Sequence, residues 1–595
     1  MRGGRPMVVC IAVVAVAALS SCGGLPTVSA VQQGSLVGEQ AVQPIRVQPD
    51  GPAAGATPDQ IVRGFIRAGA GSGFDDDYAI ARSFFTPNVR DDWQPGSGVE
   101  VFGDQTPLKV ELQTPTTVRV TASIVAEVDS AGHYRETPVG TLVHATFGMH
   151  KLNAGWRISL PQKSFGLWLS SSDLDRIYQP FTIAYVSTAT RTIVGDRRWF
   201  PITSGLATTL ARAQLEPVPS YLNGAVQTGV PTGTALAVDA VPIQSGLAVV
   251  DLSGTALSAD PDLRRAIWAQ FVTTLMQVPS VTEVSLEVQG ARLNLPGTPD
   301  RVSLLTTLGY QLDPVFLAKD AILRAGTKLS RVSPDRPQNQ DLPPKGSQQP
   351  ASPGLPRIPA GWISLALSWD EREIAGVGAD HSELARWQGS RMFQLGEFGI
   401  DLTKPSYDSS AGLWVAGQTG GTTKVWVIDT SLSPIEKAKP RLILAPWLAK
   451  RTVVGLRVAG DNRRMALVTT NIAGGDVQLV VAGIVRSANG AAVSLAAEPL
   501  RVGWTLTAAT DLAWVDDSTL AVLGRVSPKD ALGPQLVEIG GKVTALPQVV
   551  GGRLVTNSGG PRGVVVITDR GQVLARAGNG WQQLQTGTDF LIPGG

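Results

Sequence analysis

The second half of this chain is written as a repeat, and the repeat leaves few ways to fold. An apolar strand runs into a turn of Asp, Asn, Ser or Gly, and a second apolar strand follows. The unit occurs at Ile363–Asp370 with Ile374–Val377, Tyr407–Ser410 with Leu413–Val415, and Gly455–Val458 with Met465–Val468. It returns at Leu512–Asp517 with Leu520–Leu523 and at Ser558–Gly560 with Val564–Ile567. Measured at Ala375, Trp414, Ala466, Ala521 and Val565, the second strands stand 39, 52, 55 and 44 residues apart. Four-stranded propeller blades recur at about 40 to 50 residues. Each blade buries its faces against its neighbours, and closing the ring removes exposed strand edges. Leu304–Leu312 and Ala321–Arg324 are expected to add strands of another blade, making five or six blades over residues 301–595. Residues 334–359 hold eight Pro. They read as an interdomain linker or as a surface insertion within the ring.

A ring held without disulfides suits the cysteine usage. The chain has only Cys10 and Cys22. Arg2 and Arg5 precede Met7–Leu19, an unbroken apolar run of 13 residues. That run is short of the about 20 residues needed to span a bilayer, and it matches the core of a secretory signal. Leu19-Ser20-Ser21-Cys22 follows, and it resembles the bacterial lipobox. The resemblance implies cleavage before Cys22, which becomes an N-acyl and S-diacylglycerol cysteine. Cys10 leaves with the signal peptide, residues 1–21, so no disulfide is expected although export would permit one. Such an anchor holds a protein lastingly at the membrane, where a single acyl chain is marginal. Residues 22–57 lack periodicity and are rich in Gly, Pro and Gln, as expected of a flexible tether.

Two α+β segments lie between tether and repeat. In 58–195, Pro58-Asp59 opens a helix with Ile61, Val62, Phe65 and Ile66 at helical spacing. Asp75-Asp76-Asp77 opens a second helix bearing Tyr78, Ala81, Phe84 and Phe85. The three acids lack calcium-loop spacing and read as helix N-terminal charges. Val118, Val120, Ala122, Ile124, Ala126 and Val128 alternate with polar residues in a half-buried strand. Val143, Ala145, Phe147 and Met149 do the same, with His144 and His150 on the solvated face. This order resembles the NTF2-like fold. In 196–300, Leu206, Leu210 and Ala213 mark a helix, and Leu236–Val241 with Gly246–Leu252 a hairpin. Asp260 caps a helix with Pro261 in its first turn, and Leu263, Ile267, Phe271 and Leu275 form its buried stripe. Val281–Val288 is the last strand, ended by Gln289-Gly290.

A search for chemistry finds little. There is no G-x-S-x-G, no S-x-x-K and no H-E-x-x-H. The four histidines, His133, His144, His150 and His381, show no zinc spacing. Asp516-Asp517 sits at an expected inter-strand turn. The net charge of +2 is no footprint for nucleic acid. Catalytic residues, metal and cofactors are therefore all expected to be none.

The order of parts carries a resemblance. The lipobox precedes Ile61-Val62-Arg63-Gly64-Phe65-Ile66, Ala81-Arg82-Ser83-Phe84-Phe85-Thr86-Pro87 and Trp93. A segment like the GerMN domain follows, with Ala237-Val238-Asp239 and Ala248-Val249-Val250-Asp251-Leu252-Ser253. With Val194–Pro201 and the propeller, the whole length resembles the actinobacterial LpqB lipoprotein family. The resemblance implies a non-enzymatic lipoprotein on the extracytoplasmic face of the cell membrane. It implies binding to the extracellular domain of the sensor kinase MtrB and modulation of MtrAB two-component signalling, with effects on cell division and envelope homeostasis. The alternative is a cell-wall glycan-binding protein or hydrolase that uses the propeller face.

Overall fold

The computed structural model describes residues 49–71, 76–160, 165–187, 189–312, 317–334 and 354–594. The signal peptide, Cys22, most of the tether, Asp75 and most of the Pro-rich stretch lie outside the described residues.

Helix α1 (Pro58–Gly69) begins as its sequence predicts, with the Gln60 side chain accepting from the Thr57 backbone N–H at 2.9 Å. Its apolar face, Ile61, Val62, Phe65 and Ile66, is buried against a seven-stranded sheet. The sheet runs Gly155–Leu160, Leu142–Leu152, Thr117–Asp129, Gly98–Phe102, Leu167–Ser170, with Lys109–Thr114 and Tyr134–Glu136 also paired to the long Thr117–Asp129 strand. That strand buries every second residue, as alternation demands. Phe65 meets Phe85 and Trp93 edge-on at 4.8 and 5.0 Å, the favoured aromatic geometry. The second helix, α2, is a single turn (Ala79–Arg82). Asp77 pairs there with Arg82 at 3.1 Å, and Asp76 accepts from the Ala79 N–H. The chain leaves this domain through α3 (Ser171–Ile177).

The division between the first two domains therefore differs from the expected 195/196. Tyr178–Ser187 and Thr192–Pro201 pair over their whole length and belong to the second domain's core. Tyr178–Ser187 is largely apolar, while Thr192–Pro201 mixes apolar residues with Asp196, Arg197 and Arg198, and neither shows an alternation that tells which sheet it joins. Two helices cover them, α4 (Leu206–Gln214) and α5 (Pro261–Leu275), the latter capped by Asp260, which accepts from Leu263 N–H at 2.9 Å. Leu263 is only partly buried, but α5 is enclosed on every side from Ala266 to Phe271. Its buried Gln270 donates to the Ala184 carbonyl at 2.8 Å, and Gln214 brackets the same residue at 3.0 and 2.9 Å. Side-chain amides thus satisfy a backbone edge that no strand reaches. Beside them, Leu247–Leu252 and Glu283–Val288 run parallel, joined through α5. The expected hairpin is smaller than predicted. Ile243–Gln244 pairs with Leu247–Ala248, while Leu236 reaches the strand only through one bridge to Leu252.

Residues after 300 bring a second correction. Val302 pairs with Val284, Leu308 sits in the second domain's core, and Gln311–Leu312 adds to Thr192–Ile193. Leu304–Leu312 is thus no blade strand, and the propeller begins at Ala321.

Six sheets follow. Blade 2 is Trp362–Leu367 to Arg391–Leu395, blade 3 Ser406–Tyr407 to Arg441–Ile443, and blade 4 Arg451–Val458 to Ala492–Leu495. Blade 5 is Ala508–Trp514 to Val543–Ala545, and blade 6 Gly552–Asn557 to Gly580–Thr586. Blade 1 is composite: Ala321–Ala325 and Lys328–Val332 pair with Asp589–Leu591 from the end of the chain. All five marker residues lie in second strands, as the spacing predicts. The Pro-rich stretch connects blade 1 to blade 2, which decides for a segment of the ring over an interdomain linker.

The second domain and blades 4 and 5 share one hydrophobic core. Trp199 donates its indole N–H to the Gly540 carbonyl at 2.9 Å, and Arg197 pairs with Glu538 at 3.4 Å. From the first domain, Glu136 accepts from the Val543 N–H at 2.9 Å and the Thr505 hydroxyl at 3.1 Å. Lys542 pairs with Asp175 across the same seam.

Candidate functional site

The first strand of each of blades 2 to 6, and the C-terminal strand of blade 1, lies at the axis of the ring. Polar groups on these strands stitch neighbouring blades. Trp369 donates to the Tyr407 carbonyl at 3.0 Å, Trp514 to the Arg457 carbonyl at 3.0 Å, and Asn557 to the Val515 carbonyl at 3.2 Å. Val458 N–H donates to the Ser406 hydroxyl at 3.2 Å, and Val555 N–H to Asp511 at 2.9 Å.

Past their ends the strands open into a cavity of about 540 Å³ at one mouth of the channel. Trp369, Arg457, Asp461, Arg464, Trp514 and Asn557 are among its lining residues. The indole N–H groups are already used, so the rings offer the cavity apolar surface. Arg464 is fully buried, bonded to Asp461 at 2.6 Å and stacked 5.4 Å over the Trp514 ring. Burial is the largest influence and works against its charge, but Asp461, Tyr221 and Asp517 together raise its pKa. Arg457 is 2% exposed and donates to Asp511 at 2.8 Å. Burial lowers its pKa. Its Nε and the Asn557 Oδ1 are buried without a hydrogen-bond partner, an unusual state for groups whose desolvation costs about 1 to 3 kcal/mol each.

Lys404, ahead of the inner strand of blade 3, adds a third cation. The charges acting on it are Arg457, Asp511, Asp589 and Arg553, from the inner strands of blades 4, 5, 1 and 6. Lys404 itself is half-buried. Burial brings its pKa down to about 8, with the two arginines helping and the two aspartates opposing.

The residues singled out from sequence are scattered. Asp516 accepts from the Ser518 N–H at 2.8 Å, as a turn residue does, and both Asp516 and Asp517 line the mouth. His144 bonds Thr121 at 2.8 Å, His133 bonds Asp129 at 2.9 Å, and His381 bonds the Leu402 carbonyl at 2.8 Å. His150 is exposed. Among the described residues no group of three His, Cys, Asp or Glu is placed to hold a metal, and no helix is long and apolar enough to cross a membrane. Cys22 lies outside the described residues. Sequence reading missed Lys404 and Arg457, which have no local motif. The Trp-Asp of Trp369-Asp370 and the Trp-Val-Asp-Asp of 514–517 were the only available signal.

A second cavity, of about 790 Å³, lies between the first domain and blade 4, lined by Glu100, His133, Trp168 and Trp504 among others. Glu100 carries a buried Oε2 without a partner, and burial with the neighbouring Glu127 pushes its pKa up to about 7 from 4.5, against Arg135. A raised acid pKa means the folded state holds its proton more tightly, so stability falls as pH rises from about 4.5 to about 7 and stays lower above. We expect Glu100→Gln to stabilise the protein at pH 8 by up to about 1 kcal/mol, the shift being discounted for partial exposure. The gain should vanish below pH 4, and denaturant midpoints at the two pH values read the difference.

Three family models match the chain. Residues 51–175 match the lipoprotein LpqB N-terminal domain, 181–294 the sporulation and spore germination domain, and 346–593 the lipoprotein LpqB beta-propeller domain. A "Lipoprotein LpqB" of Thermobifida fusca is 26% identical, covering 97% of each chain. One of Cutibacterium acnes is 27% identical, covering 88% of this chain and 87% of the relative. Among solved structures, the first GerMN domain of the sporulation protein GerM from Bacillus subtilis matches at 20% identity, with a TM-score of 0.18, over 21% of this chain and 97% of that one.

Proposed function

Since the chain belongs to the LpqB lipoprotein family, we propose that it is a lipid-anchored, non-enzymatic accessory lipoprotein. It sits on the extracytoplasmic face of the cell membrane, binds the extracytoplasmic region of the sensor kinase MtrB and modulates MtrAB signalling. The observation that carries this reading is the correspondence with one LpqB relative over 97% of the chain, joined to the lipobox at Cys22. Physics supports it in two ways. An anchored protein is confined near a membrane-embedded kinase, which raises its effective concentration. The seam bonds of Trp199, Glu136 and Arg197 join three domains, so contacts made by one are held in register with the others.

The test is crosslinking of full-length chain and kinase reconstituted in one bilayer. A crosslink to the kinase ectodomain is expected, together with changed kinase autophosphorylation. No crosslink and no change in phosphorylation would end the proposal. For the anchor, Cys22→Ala should abolish incorporation of a fatty-acid analogue and leave the signal uncleaved. Equal labelling of variant and parent would refute it. The two indoles at the channel mouth favour a second reading, a glycan-binding face. Incubation with arabinogalactan or peptidoglycan fragments separates the two, since only the glycan reading predicts binding or sugar release.

A further inference from the structure

The propeller mouth that carries the two tryptophans is acidic once its ion pairs are set aside. Its charged lining residues are Arg457, Arg464, Asp461, Asp516 and Asp517. Both arginines are committed. Arg464 is bonded to Asp461 at 2.6 Å, and Arg457 to Asp511, which is not a lining residue, at 2.8 Å. The other oxygen of Asp461 accepts from the backbone N–H groups of Arg463 and Arg464. Asp516 and Asp517 are left over. Asp516 accepts from the N–H and the hydroxyl of Ser518, and Asp517 is exposed. Among the described residues neither has a cation within ion-pair distance.

Two carboxylates at a turn are by themselves solvated charges, but a second feature of the cavity asks for a donor. Asn557 lines it beside them and is only 9% exposed. Its amide N–H donates to the carbonyl of Val515, the residue before Asp516, at 3.2 Å. A carbonyl only accepts, so this bond fixes which way the amide faces. Its Oδ1 is then an acceptor, buried and without a hydrogen-bond partner, an unusual state in a native fold. The third feature is apolar. Trp369 and Trp514 line the cavity with their N–H groups spent on backbone carbonyls.

We propose that this mouth binds an organic cation, a primary ammonium or a guanidinium carried on an aliphatic stem. Asp516 and Asp517 hold the charge, the Asn557 oxygen accepts from one of its N–H groups, and the indoles pack along the stem. The ligand class follows from the groups present. Asp516, Asp517 and Asn557 Oδ1 all accept, so the guest donates. The uncompensated charge is negative, so the guest is cationic. Tryptophan is the aromatic side chain that cations prefer, and Arg464 already stacks 5.4 Å over Trp514. Among the described residues no third His, Cys, Asp or Glu joins the aspartates to hold a metal ion, which argues for an organic cation. A cavity of about 540 Å³ has room for a lysine or arginine side chain of a partner, or for one end of a free polyamine. Both sources share this chemistry, and the test separates them. The inference stands on the cavity alone, so its failure would leave the kinase reading untouched.

The test titrates the full-length chain in detergent, at ionic strength held constant with sodium chloride, with three probes. They are Nα-acetyl-lysine amide, spermidine, and Nα-acetyl-norleucine amide, which keeps the stem and lacks the ammonium. Calorimetry and tryptophan fluorescence read binding. Saturable binding of at least one cation is expected, with the norleucine amide at least tenfold weaker, because hydrogen bonds to charged groups are the strong ones. A response to the lysine amide alone assigns a partner's side chain, and to spermidine alone a polyamine. In Asp517→Lys, a charge reversal at an exposed turn, cation affinity should fall at least tenfold. Its unfolding temperature should stay within about 2 °C of the parent's, as for other surface changes. Should that variant misfold, Asp516→Asn serves instead: it keeps the acceptor for Ser518 and removes one charge, and a severalfold loss of affinity is expected. Binding of neither cation, equal binding of the norleucine amide, or unchanged affinity in the variant would overturn the proposal. Binding of chitotriose in place of both cations would overturn it in favour of a neutral glycan.

Discussion

Removing Asp589–Gly595 should abolish the folded propeller, with the chain becoming insoluble or fully protease-sensitive beyond about residue 320. The last strand is the inner strand of blade 1, pairing Asp589, Phe590 and Leu591 with Arg324, Leu323 and Ile322. Phe590, Leu591 and Ile592 are each at most 2% exposed. At about 2 kcal/mol for each buried large apolar side chain, their loss removes about 6 kcal/mol. That is of the order of a whole domain's stability. Two further costs add to it. Arg324, 4% exposed, loses its carboxylate, and blades 1 and 2 lose the strand that joins them, leaving a sheet edge open to aggregation. Limited proteolysis and far-UV circular dichroism read the outcome. A truncated chain with the parent's protease pattern and unfolding midpoint would show that ring closure is dispensable.

Glu373→Ala is expected to cost about 3 to 5 kcal/mol, the usual penalty for stranding one member of a buried ion pair. Glu373 joins Arg386 through two bonds of 2.7 and 2.8 Å inside blade 2. Its oxygens also accept from the Tyr407 hydroxyl at 2.7 Å and from Gln388 at 2.9 Å. Arg386 is inaccessible to solvent. Without Glu373 the guanidinium keeps only a 3.5 Å contact to the Ile435 carbonyl. Four hydrogen bonds vanish and a charge remains buried. Tyr407 belongs to blade 3, so the damage should spread across the blade interface. Chemical denaturation monitored by tryptophan fluorescence measures it, with Trp387 packed in the neighbouring core as a local reporter. A loss under 1 kcal/mol would mean that water or repacking replaces the carboxylate. Similar buried pairs, Asp408 with Arg486 at 3.1 Å and Asp461 with Arg464 at 2.6 Å, recur in blades 3 and 4. They do for this ring part of what disulfides do in small exported domains.

Much of the architecture was legible in the residues. The alternation along Thr117–Asp129, the Asp260-Pro261 cap and the five marker positions each reflect a local rule, and each holds in the fold. What failed were boundaries. Tyr178–Ser187 and Thr192–Pro201 are buried on both faces, so no clean alternation told which domain they complete. Leu304–Leu312 looked like a blade strand and instead adds a two-residue edge to the second domain.

Local order in the chain was enough to determine the modules, their sequence and the propeller's repeat, because helix caps, alternation and turns act over a few neighbouring residues. Only the tertiary structure decided that the ring closes with a strand from the far end. It alone brings Arg457, Asp511, Arg553 and Asp589 into range of the Lys404 charge. These residues come from five blades and are separated by up to 185 positions, from Lys404 to Asp589. Charges so distant in sequence meet through the geometry of closure, which no local pattern encodes.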